Sequence, residues 1–524
     1  MNSGQPNFMI RAHASFSIVT ARLRGMVVVA IVLANSNLVH AERINHEGRI
    51  LGAIPVVTNA VLFNTPEADA IMGALQIFPK DHAWNEDISR RPVLANSDSI
   101  ITNITSELLA GRRTLRAFYE MNFVIVPTNQ PSVLINFFLY ANESDPSPYP
   151  ISTNMPVEGW PRETGSLTLD QWQRDINSTG GDRHSIVLQP GTGDLWETWL
   201  TQKTNSLWRA ANGAKFNFNS NVLRPAGWTS GDAAGLSMLG GLVRYDECQR
   251  GMVEHAIRII VKHSRQEYLH PATHYASVPA TADPNVPAMG QRLRLKTGFV
   301  IPSNWTQEEK AVLLALKKYG AIVADNGNFF SISVAPDQRF SATAFDHLTT
   351  IGITNFEAIV TTQAGEGPRS SGAPTASAGA DRRVTPGGSV QLTGLVTSTQ
   401  PSQIRWKLYS GPASVMFDDS TRTNAIATFG TNGTYTLMLS VDDGVHAVAY
   451  DAVVVVVATD VHMNISRQGG NVLLNWTGGL APYDVEGTAL TASTNWTTLQ
   501  TTSQTNVVLP MDLNARLFRI RTQP

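Results

Sequence analysis

A chain of 524 residues exceeds what one hydrophobic core organises, so two to four domains are expected. Only 16% of it is charged, while Gly (40) and Pro (28) are plentiful, which excludes a coiled-coil or disordered chain and favours turn-rich β domains. The net charge of −2 offers no global field for nucleic acid or anionic lipid, and the single cysteine, Cys248, excludes an intrachain disulfide framework and a cysteine-based zinc site.

Arg22 and Arg24 precede the apolar run Met26 to Leu33, and Val39-His40-Ala41 offers a small-residue cleavage site before Glu42. This is the pattern of a Sec-type signal over residues 1–41. The run is far shorter than the ~20 residues that a membrane span needs. No later segment qualifies, so an exported chain, secreted or at the cell surface, with no transmembrane segment is expected.

Residues 42–363 read as one large β-rich domain, sandwich-like or jelly-roll-like, with a few helices. A helix is expected from Ser99 to Arg113. Polar residues then crowd into glycine-punctuated segments: Asn142 to Pro146, Gly181-Asp182-Arg183-His184 opening a strand, and Leu195 to Trp199. The loop Arg224 to Leu236 holds Trp228 and Asp232 and leads into Gly241 to Glu247. His274 to Ser277 and Met289 to Lys296 follow. A second helix, Gln307 to Tyr319, has Thr306 and Glu309 spaced as a capping box and Gly320 as its stop. The turn Asp325-Asn326-Gly327-Asn328 then reads as joining Ala321–Ala324 and Phe329–Val334 into a hairpin. From about Phe78 to Val360 these runs resemble, end to end, a group of exported bacterial proteins of uncharacterised activity. The resemblance implies a single domain and carries no activity across.

The stretch 364–374, Ala-Gly-Glu-Gly-Pro-Arg-Ser-Ser-Gly-Ala-Pro, has linker composition. Beyond it, period-two alternation at Ile404, Trp406, Leu408 and at Tyr435, Leu437, Leu439, Val441 marks strands of a small sandwich over 375–459. Ala378-Gly379-Ala380-Asp381, Gly433-Thr434-Tyr435 and Val441-Asp442-Asp443-Gly444 resemble a PKD-type, immunoglobulin-like module. Such a module implies a spacer or an adhesive or carbohydrate-associated accessory. Residues 460–524 read as another small β module, and Trp476, Asn495-Trp496 and Phe518-Arg519-Ile520 resemble the C-terminal modules of exported bacterial proteins. The expected fold class is therefore mainly β: a large β-rich domain followed by two small β-sandwich modules.

Chemistry is sought in the large domain. Glycoside hydrolysis needs two carboxyl groups across the scissile bond, one protonated and one ionised. Asp232, Asp182, Glu197, Asp246 and Glu247 are the candidates, with His255 as a further acid–base group. Trp228 could stack on a sugar ring. Elimination from a uronate polymer would instead use a basic set, and Arg244, Arg258, His274, Tyr275 and Lys296 are the candidate substrate-binding residues for it. Alternation places His255, Ile257 and Ile259 on one strand face and Arg258 on the other, so His255 and Arg258 cannot share a cleft without a bulge. His184, His255 and His274 lack short metal-ligand spacing, so no metal site is expected. No Walker A loop, dinucleotide fingerprint or Gly-x-Ser-x-Gly elbow occurs, and no cofactor is expected. The reading is an exported polysaccharide-active enzyme, hydrolase or lyase, whose partner is extracellular polysaccharide or cell-surface glycan. Its alternative is a non-catalytic surface or adhesive protein that binds glycan or protein.

Overall fold

The computed structural model describes residues 42–174, 181–205, 207–276, 278–489, 495–511 and 517–522, and the strand course of 16–23 and 26–33. The protein is mainly β and divides into two compact units. One comprises Arg43–Ala373 with Gly444–Ala447; the other comprises Pro374–Asp443 and Val448–Pro524 with Met1–Glu42.

In the first unit, a six-stranded sheet runs Phe356–Ala358, Arg292–Leu295, Ala321–Asn326, Ile257–Val261, Phe330–Val334, Leu115–Tyr119. A five-stranded sheet runs Asn212–Asn217, Asp194–Trp199, Ser185–Gln189, Val124–Ile125, Val61–Leu62. Both sheets are mixed, with Ile257–Val261 parallel to Ala321–Asn326 and Val124–Ile125 parallel to Ser185–Gln189. They share one core: Ile125, Ile186, Leu188 and Leu195 from the smaller sheet pack in the same cluster as Ile257, Ile259, Ile322, Ile332 and Phe356 from the larger. Val124 and Val187, one residue out of phase, instead join Ile135, Tyr149 and Trp208 on the other face, as period-two geometry requires.

The helix Gln307–Lys318 forms as its sequence dictates. Thr306 accepts from the Glu309 N–H and the Glu309 carboxylate accepts from the Thr306 N–H, both at 3.1 Å. The first predicted helix is shorter than expected, Ser97–Ser106 rather than reaching Arg113. The Thr105 hydroxyl donates back to Ile101 O (2.7 Å), the kind of local bond that competes with helix continuation, and no glycine caps the run. The expected hairpin is not formed. Ala321–Asn326 and Phe330–Val334 are separated in the sheet by Ile257–Val261, which pairs with both. The Asp325–Asn328 turn carries the chain over the end of that central strand, with the Gly327 N–H bonded to Val261 O at 2.8 Å.

In the second unit, Gln403–Ser410, Gly433–Asp442 and Ala449–Val457 form the backbone of an antiparallel sheet around a core of Trp406, Phe429, Tyr435 and Val455. Trp406 is thus a core residue and not an exposed platform. A separate core of Leu474, Trp476, Val485 and Ile520 organises the C-terminal module. The apolar run Met26–Leu33 is a strand paired with Phe16–Leu23 and parallel to Leu517–Thr522, while the cleavage site at Val39–Ala41 lies outside the described residues. Among the described residues no helix is long and apolar enough to cross a membrane.

Candidate functional site

The central strand Ile257–Val261 places Arg258 at the heart of a charged cluster. Its neighbour pairs Ile332 with Ile259, which sets Ser333 opposite Arg258. Glu120 follows the Leu115–Tyr119 strand, held by its N–H to Val334 O at 3.1 Å. Asp325 lies just past a register shift in the Ala321–Asn326 strand. The guanidinium of Arg258 takes the Asp232 carboxylate on Nη2 and Nε, the latter at 3.1 Å, and reaches Ser333 Oγ and, at 3.3 Å, Glu120 Oε1 through Nη1. Ser333 Oγ also donates to Glu120 Oε1. Asp232 is fully buried, Glu120 keeps a quarter of its side chain in solvent, and Asp325 is half-buried.

Beside this lies a second pair. His184 Nδ1 contacts Glu158 Oε2 at 2.9 Å and its Nε2 contacts Gly231 O at 3.0 Å. Both ring nitrogens face acceptors, so the ring is an imidazolium. Burial alone would depress its pKa, but the Glu158 carboxylate overrides this and holds it at about 10. Glu158, which burial would raise, is pulled below the usual carboxylate range by the same contact. Asp182 is exposed at the strand opening, within electrostatic reach of His184 and Asp325. Burial pushes the Glu120 and Asp325 carboxyls up to about 7 each, against the pull of Arg258; the Asp232 charge adds to the effect on Asp325.

This linkage has a signed consequence. An imidazolium whose folded pKa is raised from 6.5 to about 10 contributes stability that is complete below 6.5 and disappears as pH climbs to about 10. The thermal transition of the large unit is therefore expected to fall between pH 7 and 10 in the native chain and to fall less in His184→Gln. Equal pH slopes in the two proteins would refute the ion pair.

The glycine-rich loop folds over this cluster because side chains would not fit. Gly235 has φ +70°, and a Cβ there would stand 2.6 Å from Trp228 O; at Gly231 one would stand 2.6 Å from Met238 Sδ. The loop is tied to the Ala272–Tyr275 segment by Thr273 N–H to Ala234 O (2.9 Å) and His274 Nδ1 to Ala233 O (2.6 Å). Trp228, His274 and Tyr275, all half-buried, thus flank the Asp232 loop, with the His274 and Tyr275 rings stacked at 5.9 Å.

The remaining expected residues lie elsewhere. Arg244, Asp246 and His255 form a cluster separate from that of Arg258, with His255 in the bend that precedes the central strand. Arg244 Nη2 meets Glu247 at 2.7 Å, its Nε meets Asp246 at 3.2 Å, and His255 Nε2 meets Glu247 at 3.2 Å. Glu247 is held down at about 2: burial opposes this, but Arg244 and His255 outweigh it. Lys296 Nζ donates to Thr354 O at 2.9 Å and belongs to neither cluster. Glu197 is fully buried and accepts from Ser237 Oγ (2.9 Å), Met238 N (2.8 Å) and Leu239 N (3.0 Å). It clamps the turn that follows the Asp232 loop. Glu197→Ala strands three buried donors and is expected to cost about 2–4 kcal/mol, read as a lowered transition of the large unit. An unchanged transition would show that the clamp is dispensable.

Sequence reasoning missed Glu120, Glu158, Asp325 and Ser333 as members of a site. Glu158 sits in a Pro- and Gly-flanked run and Asp325 in an Asp-Asn-Gly turn, both visible as irregular backbone, whereas Glu120 has no local mark. Among the described residues no group of His, Cys, Asp or Glu is arranged to hold a metal ion. Cys248 is buried, which pushes its thiol well above the ordinary range.

The class of molecule is a mainly β, modular protein. Residues 378–457 match a PKD domain family, so this segment is a PKD-type module. Among solved structures, the PKD domain of KIAA 1837 protein is 28% identical, covering 17% of this chain and 89% of that one with a TM-score of 0.15. The PKD domain of human KIAA0319 is 23% identical, covering 19% of this chain and 90% of that one with a TM-score of 0.16. A nucleoside hydrolase-related hypothetical protein from Saccharophagus degradans, associated with carbohydrate metabolism, is 15% identical; the match covers 25% of this chain and 35% of that one with a TM-score of 0.16. No curated protein matches the chain.

Proposed function

We propose that the large domain is a glycoside hydrolase acting on extracellular polysaccharide or cell-surface glycan. In this reading the chain is exported by its 1–41 signal, and the PKD-type and C-terminal modules are accessories. The observation that carries it is the Arg258 cluster. Glu120 and Asp325 flank one guanidinium, reach solvent, and titrate close to neutrality, so one can be protonated while the other is ionised. Glu120 is the proton donor to the glycosidic oxygen as its bond to the anomeric carbon breaks. Asp325 supplies the carboxylate that the oxocarbenium-like transition state requires. Arg258 is bonded to Glu120 and acts on Asp325 through its charge, Asp232 acts through Arg258 as its counter-ion, and Trp228, His274 and Tyr275 offer faces for sugar rings.

The same charge pairing disfavours elimination from uronates. That chemistry needs a free basic group for the substrate carboxylate. Here Arg258 is already bound by Asp232 and Glu120, Arg244 by Asp246 and Glu247, and Lys296 stands apart. The test is the intact chain against neutral and acidic polysaccharides, following reducing ends and unsaturated-uronate absorbance together. Reducing ends alone are expected. Both signals together would replace hydrolysis by elimination, and silence from a folded protein would make the domain a glycan- or protein-binding module.

A further inference from the structure

The strand Asp194–Trp199 carries Leu195, Glu197 and Trp199 on one face. Leu195 packs into the core of the large unit and Glu197 clamps the turn after the Asp232 loop, so Trp199, at the strand end, is brought to the rim of that loop. Two bonds fix its place. Asn212, opposite Trp199 in the ladder, donates its side-chain amide to Ser230 O, and the Leu200 N–H donates to Asp182 O at 2.9 Å. Tyr140 arrives from the far side of the same ladder. Its N–H donates to Ala211 O at 2.9 Å, and its ring lies 6.1 Å from that of half-buried Trp199, tilted by 37°. Glu143, in the turn that Tyr140 opens, accepts the Thr229 N–H at 3.1 Å and so ties this turn to the residue after Trp228.

Away from the loop the surface continues over apolar side chains. Leu139 is 56% exposed, Phe138 40% and Tyr140 itself 38%. The Arg209 guanidinium lies 4.8 Å from the centre of the Phe138 ring. The Tyr140 hydroxyl and the Trp199 indole N–H have no hydrogen-bond partner among the described residues. Large apolar side chains left together in water mark a binding surface. Rings that offer an apolar face and an unspent polar edge suit a ligand with apolar ring faces and hydroxylated edges, which is the chemistry of a sugar chain.

We propose that Trp199, Tyr140 and Phe138 form an open binding track that leads away from the Asp232 loop, so that the ligand is a polysaccharide held over several sugar units and not a mono- or disaccharide. Trp199 and Tyr140 stack on the units next to the loop, and Phe138 with Arg209 takes a more distant one. The track deepens the glycan reading above and rests on it; binding along it does not depend on hydrolysis.

The intact chain is run through native gels containing hydroxyethylcellulose, xylan, galactomannan or pectin, and the retarding polymer is competed with its own disaccharide fragment. Retardation by at least one polymer is expected, with the disaccharide a hundredfold or more weaker. Tyr140→Ala is expected to weaken polymer binding tenfold or more at an unchanged thermal transition. Tyr140→Phe, which keeps the ring, should stay within threefold of native, and Leu109→Ala, at an exposed leucine outside this surface, should match native. Native affinity in Tyr140→Ala, or a disaccharide that competes as well as the polymer, would overturn the track while leaving the hydrolase reading intact. A folded native chain that no polymer retards would overturn the track, as would sedimentation showing a dimer that Tyr140→Ala dissociates, since the surface would then join two copies of the chain. Tyr140-dependent polymer binding by a chain without hydrolytic activity would support the track and count only against the hydrolase.

Discussion

Asp232→Ala is expected to destabilise the large unit by about 3–5 kcal/mol, because it strips a buried guanidinium of its principal partner. Arg258 and Asp232 are 2% and 0% exposed, and Arg258 stands on the central strand of the larger sheet. Two compensations act in the variant. Glu120 and Asp325 are pushed up by burial while Arg258 pulls them down; with Asp232 gone, both gain from ionising beside the unpaired cation. Their gain recovers part of the loss, and their apparent pKa values fall. Calorimetry separates the large unit's transition from those of the β modules. A shift matching less than about 1 kcal/mol would show that the pair is not a structural keystone, and would return Asp232 to the position of a candidate catalytic carboxylate. Asp232→Asn, which keeps the shape and one acceptor, is expected to fall between the two.

Glu120→Gln is expected to abolish turnover by about 10²- to 10⁴-fold, the usual contribution of a positioned acid, with the fold unchanged. The substitution is nearly neutral for stability near pH 6. Glu120 titrates at about 7, so the native side chain is then largely protonated and the amide copies its shape and hydrogen-bonding capacity. Ser333 Oγ and Arg258 Nη1 both retain a partner. The native pH–rate profile should be a narrow bell near pH 7, losing activity above it as Glu120 gives up its proton and below it as Asp325 takes one. Loss of turnover at a retained transition temperature supports the assignment. Activity within tenfold of native would pass the acid role to Asp325 or Asp182.

Much of the architecture was legible locally. The capping box at Thr306 and Glu309 defines a helix start from residues three apart, and that helix forms with both bonds in place. The PKD-type module declared itself through alternation and its Asp-Asp-Gly turn. His255 and Arg258 enter different clusters, as expected, although the strand begins only at Ile257 and His255 lies in the bend before it, so strand alternation is not what parts them. The hairpin at Asp325–Asn328 failed for the opposite reason. Its turn signal was sound, but a strand from some 60 residues earlier, Ile257–Val261, fills the gap between its arms. A local turn says where the chain bends and nothing about which strand will pair there.

The candidate site divides along the same line. Asp232 and Trp228 were visible because glycines crowd around them, and the structure shows why those glycines are needed: a Cβ at 231 or 235 would collide with Met238 or with the Trp228 carbonyl. Glu120, Glu158 and Ser333 carry no such mark. Their juxtaposition with Arg258 arises from strand order and register, which bring together residues up to 213 positions apart, as in the Ser333–Glu120 contact. The sequence by itself determined the β class, the PKD-type module, the capping box at Thr306 and the alternation of strand faces, all governed by neighbours within a few residues. Tertiary structure alone decided which carboxyls are buried as counter-ions and which reach solvent. Protonation and charge pairing depend on dielectric surroundings and distances across the sheet, and no local pattern encodes either.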